Sequence, residues 1–89
     1  MKVVWSPLAV QRVEEIWEYI AADNRSAATR TIRRIQRASK RLAAHPYSGR
    51  VGRTPGYREL VVPGTRYLIP YHFVEGNIEI VTVLHGSQE

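Results

Sequence analysis

Cysteine is absent from this 89-residue chain. Its absence excludes disulfides and thiolate metal sites and points to a reducing, cytoplasmic setting. Long apolar runs are lacking as well. No stretch approaches the roughly 20 apolar residues of a membrane span. The opening Met1-Lys2-Val3-Val4-Trp5-Ser6-Pro7 has none of the apolar core of a secretory signal. A cytoplasmic location without a membrane partner is therefore expected. Histidine is scarce: His45, His72 and His85 are scattered, with no HxxxH spacing, so neither a metal nor another cofactor is expected. Lysine occurs only at Lys2 and Lys40. Arginine thus carries nearly all of the positive charge, and arginine is the better residue for bidentate contact with phosphate or carboxylate.

What is present is enough for one small core. Hydrophobic residues make up 44% of the chain, too many for a disordered segment. The length allows one domain over residues 1–89. A chain this short buries only about 60–65% of its unfolded surface, so its stability margin is thin. Lysine and arginine number 13 against 8 acidic residues, a net charge of +5. Nucleic acid, a ribonucleoprotein surface and an acidic protein all fit that charge as partners.

Periodicity gives the order of elements. Lys2 to Trp5 is β-branched and aromatic, a short strand. Ser6-Pro7 starts a helix, with a hydroxyl cap and a proline where the missing N–H costs nothing. That helix runs to about Ala22, with Ala9, Val13, Ile16 and Ile20 on one face and Trp17 beside them. Asp23-Asn24-Arg25-Ser26 breaks the pattern, and Asn24 or Ser26 caps a second helix from about Ala27 to Ala43. Ala28, Ile32, Ile35, Ser39 and Leu42 form its inner stripe. Arg30, Arg34, Arg37 and Arg41 form the opposite stripe, with Arg33 and Lys40 alongside. His45 to Gly56 is rich in proline and glycine and reads as a loop without regular structure. Three strands follow, Tyr57 to Val62, Arg66 to Val74 and Ile78 to His85, joined by turns at Pro63-Gly64 and Glu75-Gly76-Asn77. The expected class is α+β, β-α-α-β-β-β, with a helix hairpin packed on a small antiparallel sheet. Pro70 lies inside the second of these strands and requires a bulge or an unpaired edge there.

In this order the landmarks resemble the RelE/ParE superfamily. They are Ala9, Tyr19-Ile20, Ala27-Ala28, Leu42, the Pro46-to-Arg50 segment, Arg58-Glu59-Leu60, Tyr67 with Tyr71, and Val83-Leu84-His85-Gly86. The resemblance covers essentially the whole chain. It implies the toxin of a bacterial type II toxin–antitoxin (plasmid stabilisation) module, neutralised by a cognate acidic antitoxin in a heterotetramer or higher complex. The tail Gly86-Ser87-Gln88-Glu89 departs from the pattern, in which an arginine follows the histidine, so no tail role is carried over.

The resemblance implies alternative targets. RelE-like members resemble ribosome-dependent ribonucleases that cut mRNA, whereas ParE-like members resemble inhibitors of DNA gyrase. Metal-free RNA cleavage needs a base near the 2′-hydroxyl, an acid for the leaving oxygen and a cation for the developing charge. His85, Glu59 and Arg58 are the catalytic candidates for that chemistry. Arg58 and Glu59 are adjacent on a strand, so only one of them can share a face with His85. Candidate binding residues are Arg30, Arg34, Arg37 and Arg41 on the second helix, Arg50 and Arg53 in the glycine-rich loop, and Arg66, Tyr67 and Tyr71. The stripe Tyr67, Ile69, Tyr71, Phe73 has period two and suits the core or an antitoxin-facing surface better than base stacking. His72 reads as a solvent-facing strand residue. The long helix hairpin, the Ala27-Ala28 start and the sparse acid–base set favour the gyrase reading. A non-toxic, antitoxin-binding relative is the third possibility.

Overall fold

The computed structural model describes residues 1–86. It contains β1 (Val3–Trp5), α1 (Pro7–Ala21), α2 (Arg25–Arg41), β2 (Arg50–Val51), β3 (Tyr57–Val61), β4 (Tyr67–Val74), β5 (Asn77–Ile80) and β6 (Leu84–His85). The α+β class and the helix hairpin are as expected. Ser6 caps α1 through its side chain, which accepts from the Ala9 N–H at 3.0 Å. Its hydroxyl also donates to the Val81 carbonyl at 2.6 Å, tying the start of α1 to the far end of the chain. Of the two possible caps for the second helix, Asn24 is the one used: its Oδ1 accepts from the Ala27 N–H at 2.9 Å. The helix therefore begins at Arg25, earlier than expected, and ends at Arg41 rather than Ala43.

The sheet departs from the expected pattern in three places. It is mixed rather than wholly antiparallel, with strand order β1-β5-β4-β3-β2 and β6 on β4. The parallel pair is β1 with β5, registered Val3↔Ile78 and Trp5↔Ile80. The loop from His45 to Gly56 contains the short strand β2, registered Arg50↔Glu59 on β3. The last expected strand, Ile78 to His85, is split into β5 and β6. Pro70 explains that split. Its carbonyl accepts from the Val81 N–H at 3.0 Å, so its nitrogen faces the same flank of β4. That nitrogen has no hydrogen to give, and the ladder lapses there before resuming at Leu68↔Leu84.

The helices cover one face of the sheet. Ile69 and Tyr71 of β4, Ile78 and Ile80 of β5, Ala9, Ile35 and Ala38 of the helices, and Leu42 capping α2 are fully buried together. Of the inner-stripe residues, Ile35 and Leu42 are buried as expected, while Ile16 and Ile32 are half-buried against the cluster and Ile20 lies outside it. No described helix is long and apolar enough to cross a membrane.

Candidate functional site

Strand alternation sorts the candidate residues onto two faces. Arg58 is registered with Tyr71 and shares the helix-covered face. Its Nη1 donates to the Gly49 carbonyl at 2.7 Å, and its guanidinium lies 5.1 Å from the centre of the Tyr47 ring. Tyr47 in turn packs against Phe73, ring centres 5.0 Å apart. Arg58 is thus committed to holding the loop before β2. Tyr71 does the same from beneath. It is fully buried, its hydroxyl donates to the Pro46 carbonyl at 2.8 Å, and its oxygen accepts from the Gly49 N–H at 3.0 Å. Burial pushes the Tyr71 phenol above its ordinary value of 10.0, opposed by the Gly49 hydrogen bond and the charge of Arg58. Of the alternatives for the β4 stripe, the core is where Ile69 and Tyr71 lie, so Tyr71 presents no surface to a partner. Tyr67 is half-buried, and burial, with Tyr19 nearby, raises its phenol as well.

Glu59 is registered with Pro70 on the opposite, uncovered face. Its carboxylate takes Arg50 at 3.1 Å and Arg53 at 3.8 Å, and its side chain is only 12% exposed. Both loop arginines thus close on a carboxylate of the neighbouring strand. His72, expected to face solvent, is partly buried on this same face. Its Nε2 lies 2.7 Å from Glu79 Oε1, and its ring stacks on Tyr57 at 4.6 Å. The cross-strand register Glu79↔His72↔Tyr57 makes this row, which single-sequence alternation alone does not reveal.

His85 is registered with Tyr67, ring centres 5.4 Å apart and edge-on. It lines a cleft with Arg12, Glu15, Ile16, Tyr19 and Val83 between α1 and the start of β4. His85 and Arg58 share a sheet face but not a site. Their partners on β4, Tyr67 and Tyr71, are four residues apart, which is about 13 Å along the strand. They also lie on opposite flanks of β4, adding roughly 10 Å sideways. Ile69 fills the core face between their β4 partners. The structure therefore does not bring Arg58, Glu59 and His85 together.

The arginines of α2 are exposed, as is Arg66. Arg34 leans on the Pro63-Gly64 turn, its Nη1 donating to the Pro63 carbonyl at 3.4 Å. Among the described residues no carboxylate pairs with this stripe, and Glu15 of α1 is taken by Arg12 at 2.7 Å. Sequence reasoning also missed a groove beside the open edge of β1, with Val3, Trp5, Val10 and Val13 on one side and Glu14, Gln36, Ser39 and Lys40 completing it. The signal was available in the half-exposed side of the first helix, but only the parallel placement of β1 on β5 assembles it. The tail residues Ser87, Gln88 and Glu89 lie outside the described residues.

Comparison with known proteins places this arrangement. The chain is 41% identical over 88 residues to Y4kP, a candidate toxin of Sinorhizobium fredii, covering 99% of this chain and 91% of that one. It is 34% identical over 87 residues to the toxin RelE2 of Caulobacter vibrioides, covering 98% and 97%. The fold matches a chain of the chromosomal ParDE TA system from P. aeruginosa with a TM-score of 0.85 at 22% identity, covering 96% and 95%. The family model described as the ParE toxin of the type II toxin–antitoxin system parDE matches residues 3–89. The chain belongs to the ParE toxin family of type II toxin–antitoxin systems.

Proposed function

We propose that this toxin arrests growth as a protein–protein inhibitor of DNA gyrase and not by cutting mRNA. The observation that carries the reading is the dispersal of Arg58, Glu59 and His85. Proton transfer requires groups within hydrogen-bond reach of the reacting atoms, about 2.6–3.2 Å, or one water further. Here Glu59 is on the other sheet face from His85, and Arg58 is turned to the Gly49 carbonyl. Inhibition by contact needs no such convergence. The deciding pair of assays uses the purified chain: supercoiling by gyrase, and cleavage of mRNA on ribosomes. Inhibited supercoiling with intact mRNA is the expected result. Cleaved mRNA with undisturbed supercoiling would establish the ribonuclease reading instead.

The antitoxin reading rests on family membership and on two surfaces. The groove beside β1 offers Val3, Trp5, Val10 and Val13 to a segment that folds on binding, and β1 has a free edge for strand pairing. The net charge of +5 favours an acidic segment. Such a complex acts in the cytoplasm, as a heterotetramer or a higher assembly.

A further inference from the structure

The outer face of α2 has a composition unlike that of a protein-binding surface. No exposed position of that helix carries an apolar side chain. Protein–protein interfaces have a buried apolar centre, depleted of charge. Interfaces with DNA are more polar and far more positively charged. Arg30, Arg33, Arg34, Arg37, Lys40 and Arg41 all lie on this face, and among the described residues none is paired with a carboxylate. Arg34 and Arg37 bond only backbone carbonyls, of Pro63 and Arg33, each at 3.4 Å. Arg34, Arg37, Lys40 and Arg41 line a shallow groove against Pro63.

Spacing narrows the ligand further. Arg30, Arg34, Arg37 and Arg41 rise along the helix in steps of about 6, 4.5 and 6 Å, some 16 Å in all. A straight, evenly charged ridge matches a regular polyanion. No aromatic residue lies in α2, and single-stranded nucleic acid is held chiefly by stacking on aromatics. A duplex hides its bases and presents phosphates, for which arginine forks and short polar groups suffice.

We propose that the outer face of α2 binds the phosphate backbone of duplex DNA without reading its sequence. This surface is separate from the cleft at His85 and adjoins the groove beside β1 at Lys40, which lines both. It does not depend on gyrase being the target.

The test is fluorescence anisotropy of the full chain with a labelled duplex of about 20 base pairs, repeated with an unrelated sequence and across salt. Both duplexes should bind with similar affinity. With four to six phosphates engaged, the logarithm of affinity should fall against the logarithm of salt with a slope of about −4 to −5. Arg37→Glu with Arg41→Glu should weaken binding at least tenfold and reduce the slope by about 2. Arg12→Glu, in the cleft at His85, makes half that charge change away from the arginine stripe and should leave most of the affinity in place. Circular dichroism establishes that both variants are folded. Equal losses in the two variants would reduce the effect to bulk charge and overturn the proposal. So would tighter binding of single-stranded DNA, duplex RNA or polyglutamate than of duplex DNA. Gyrase is absent from the mixture, so failure here leaves the gyrase reading standing, and the reverse.

Discussion

Tyr71 and Gly49 are fitted to each other: the phenol oxygen accepts the Gly49 N–H at 3.0 Å, and a Cβ on Gly49 would lie 2.6 Å from Tyr71 Cε1. The same hydroxyl donates to the Pro46 carbonyl, so one buried side chain fastens the segment from Pro46 to Gly49 that leads into β2. Tyr71→Phe keeps the ring but leaves two polar backbone groups unsatisfied, and should cost about 1–3 kcal/mol. Gly49→Ala should cost a similar amount, because the Glu59 carbonyl at 3.0 Å blocks the other way out. Burial raises the Tyr71 phenol above 10.0 in the folded state. The folded chain thus holds this proton more tightly than the unfolded one. The associated stability is complete below the unfolded value and is lost as pH rises through the folded one. Urea unfolding from about pH 8 to 11 should show stability falling at the alkaline end, and less steeply in Tyr71→Phe.

Ile35 is fully buried where the helices meet the sheet. Ile35→Ala should cost about 2–5 kcal/mol, a large share of the stability of so small a domain. An unchanged melting temperature would remove Ile35 from the centre of the core.

The β4–β5 turn is a place where the chain can be improved. Val74 is registered with Asn77, leaving a two-residue loop with both φ angles positive, 50° at Glu75 and 78° at Gly76. That turn favours asparagine followed by glycine, and glutamate is a poor occupant of the left-handed region. Glu75→Asn should stabilise the fold by about 0.5–1 kcal/mol, read as a higher denaturation midpoint with the same slope. A lower midpoint would contradict the turn assignment.

The antitoxin complex should weaken as salt is added, since screening reduces attraction between a basic chain and an acidic partner. Calorimetric titration between about 50 and 500 mM salt measures it, the upper limit cutting the Debye length well below 10 Å. An affinity independent of salt would show that apolar contact, as at Val3 and Trp5, carries the complex.

Local chemistry made much of this fold readable. Ser6-Pro7 marked a helix start, Ile35 and Leu42 sat at core spacing, and a turn at Glu75-Gly76-Asn77 was plain from Gly76, although Asn77 itself opens β5. What could not be read was pairing at a distance. Nothing near Val3 says that it will join Ile78 in parallel, and Arg50 joins a strand only because Glu59 waits opposite it. Pro70 announced a defect but not which flank of β4 would bear it. The candidate site was legible as residue types and illegible as geometry. Arg58 and Glu59 had to face opposite ways, but the separation of His85 from Arg58 depends on β6 joining the flank of β4 away from β3.

The most direct test of the account is growth arrest on induction of a folded His85→Ala variant, with mRNA integrity followed alongside. An acid or base at that position would contribute about 10²–10⁴ in rate. Inhibition of gyrase by contact asks for no proton from His85, so arrest should persist nearly undiminished while mRNA stays whole. Loss of arrest together with loss of an mRNA cleavage seen in the wild type would contradict the account and make His85 the centre of a ribonuclease.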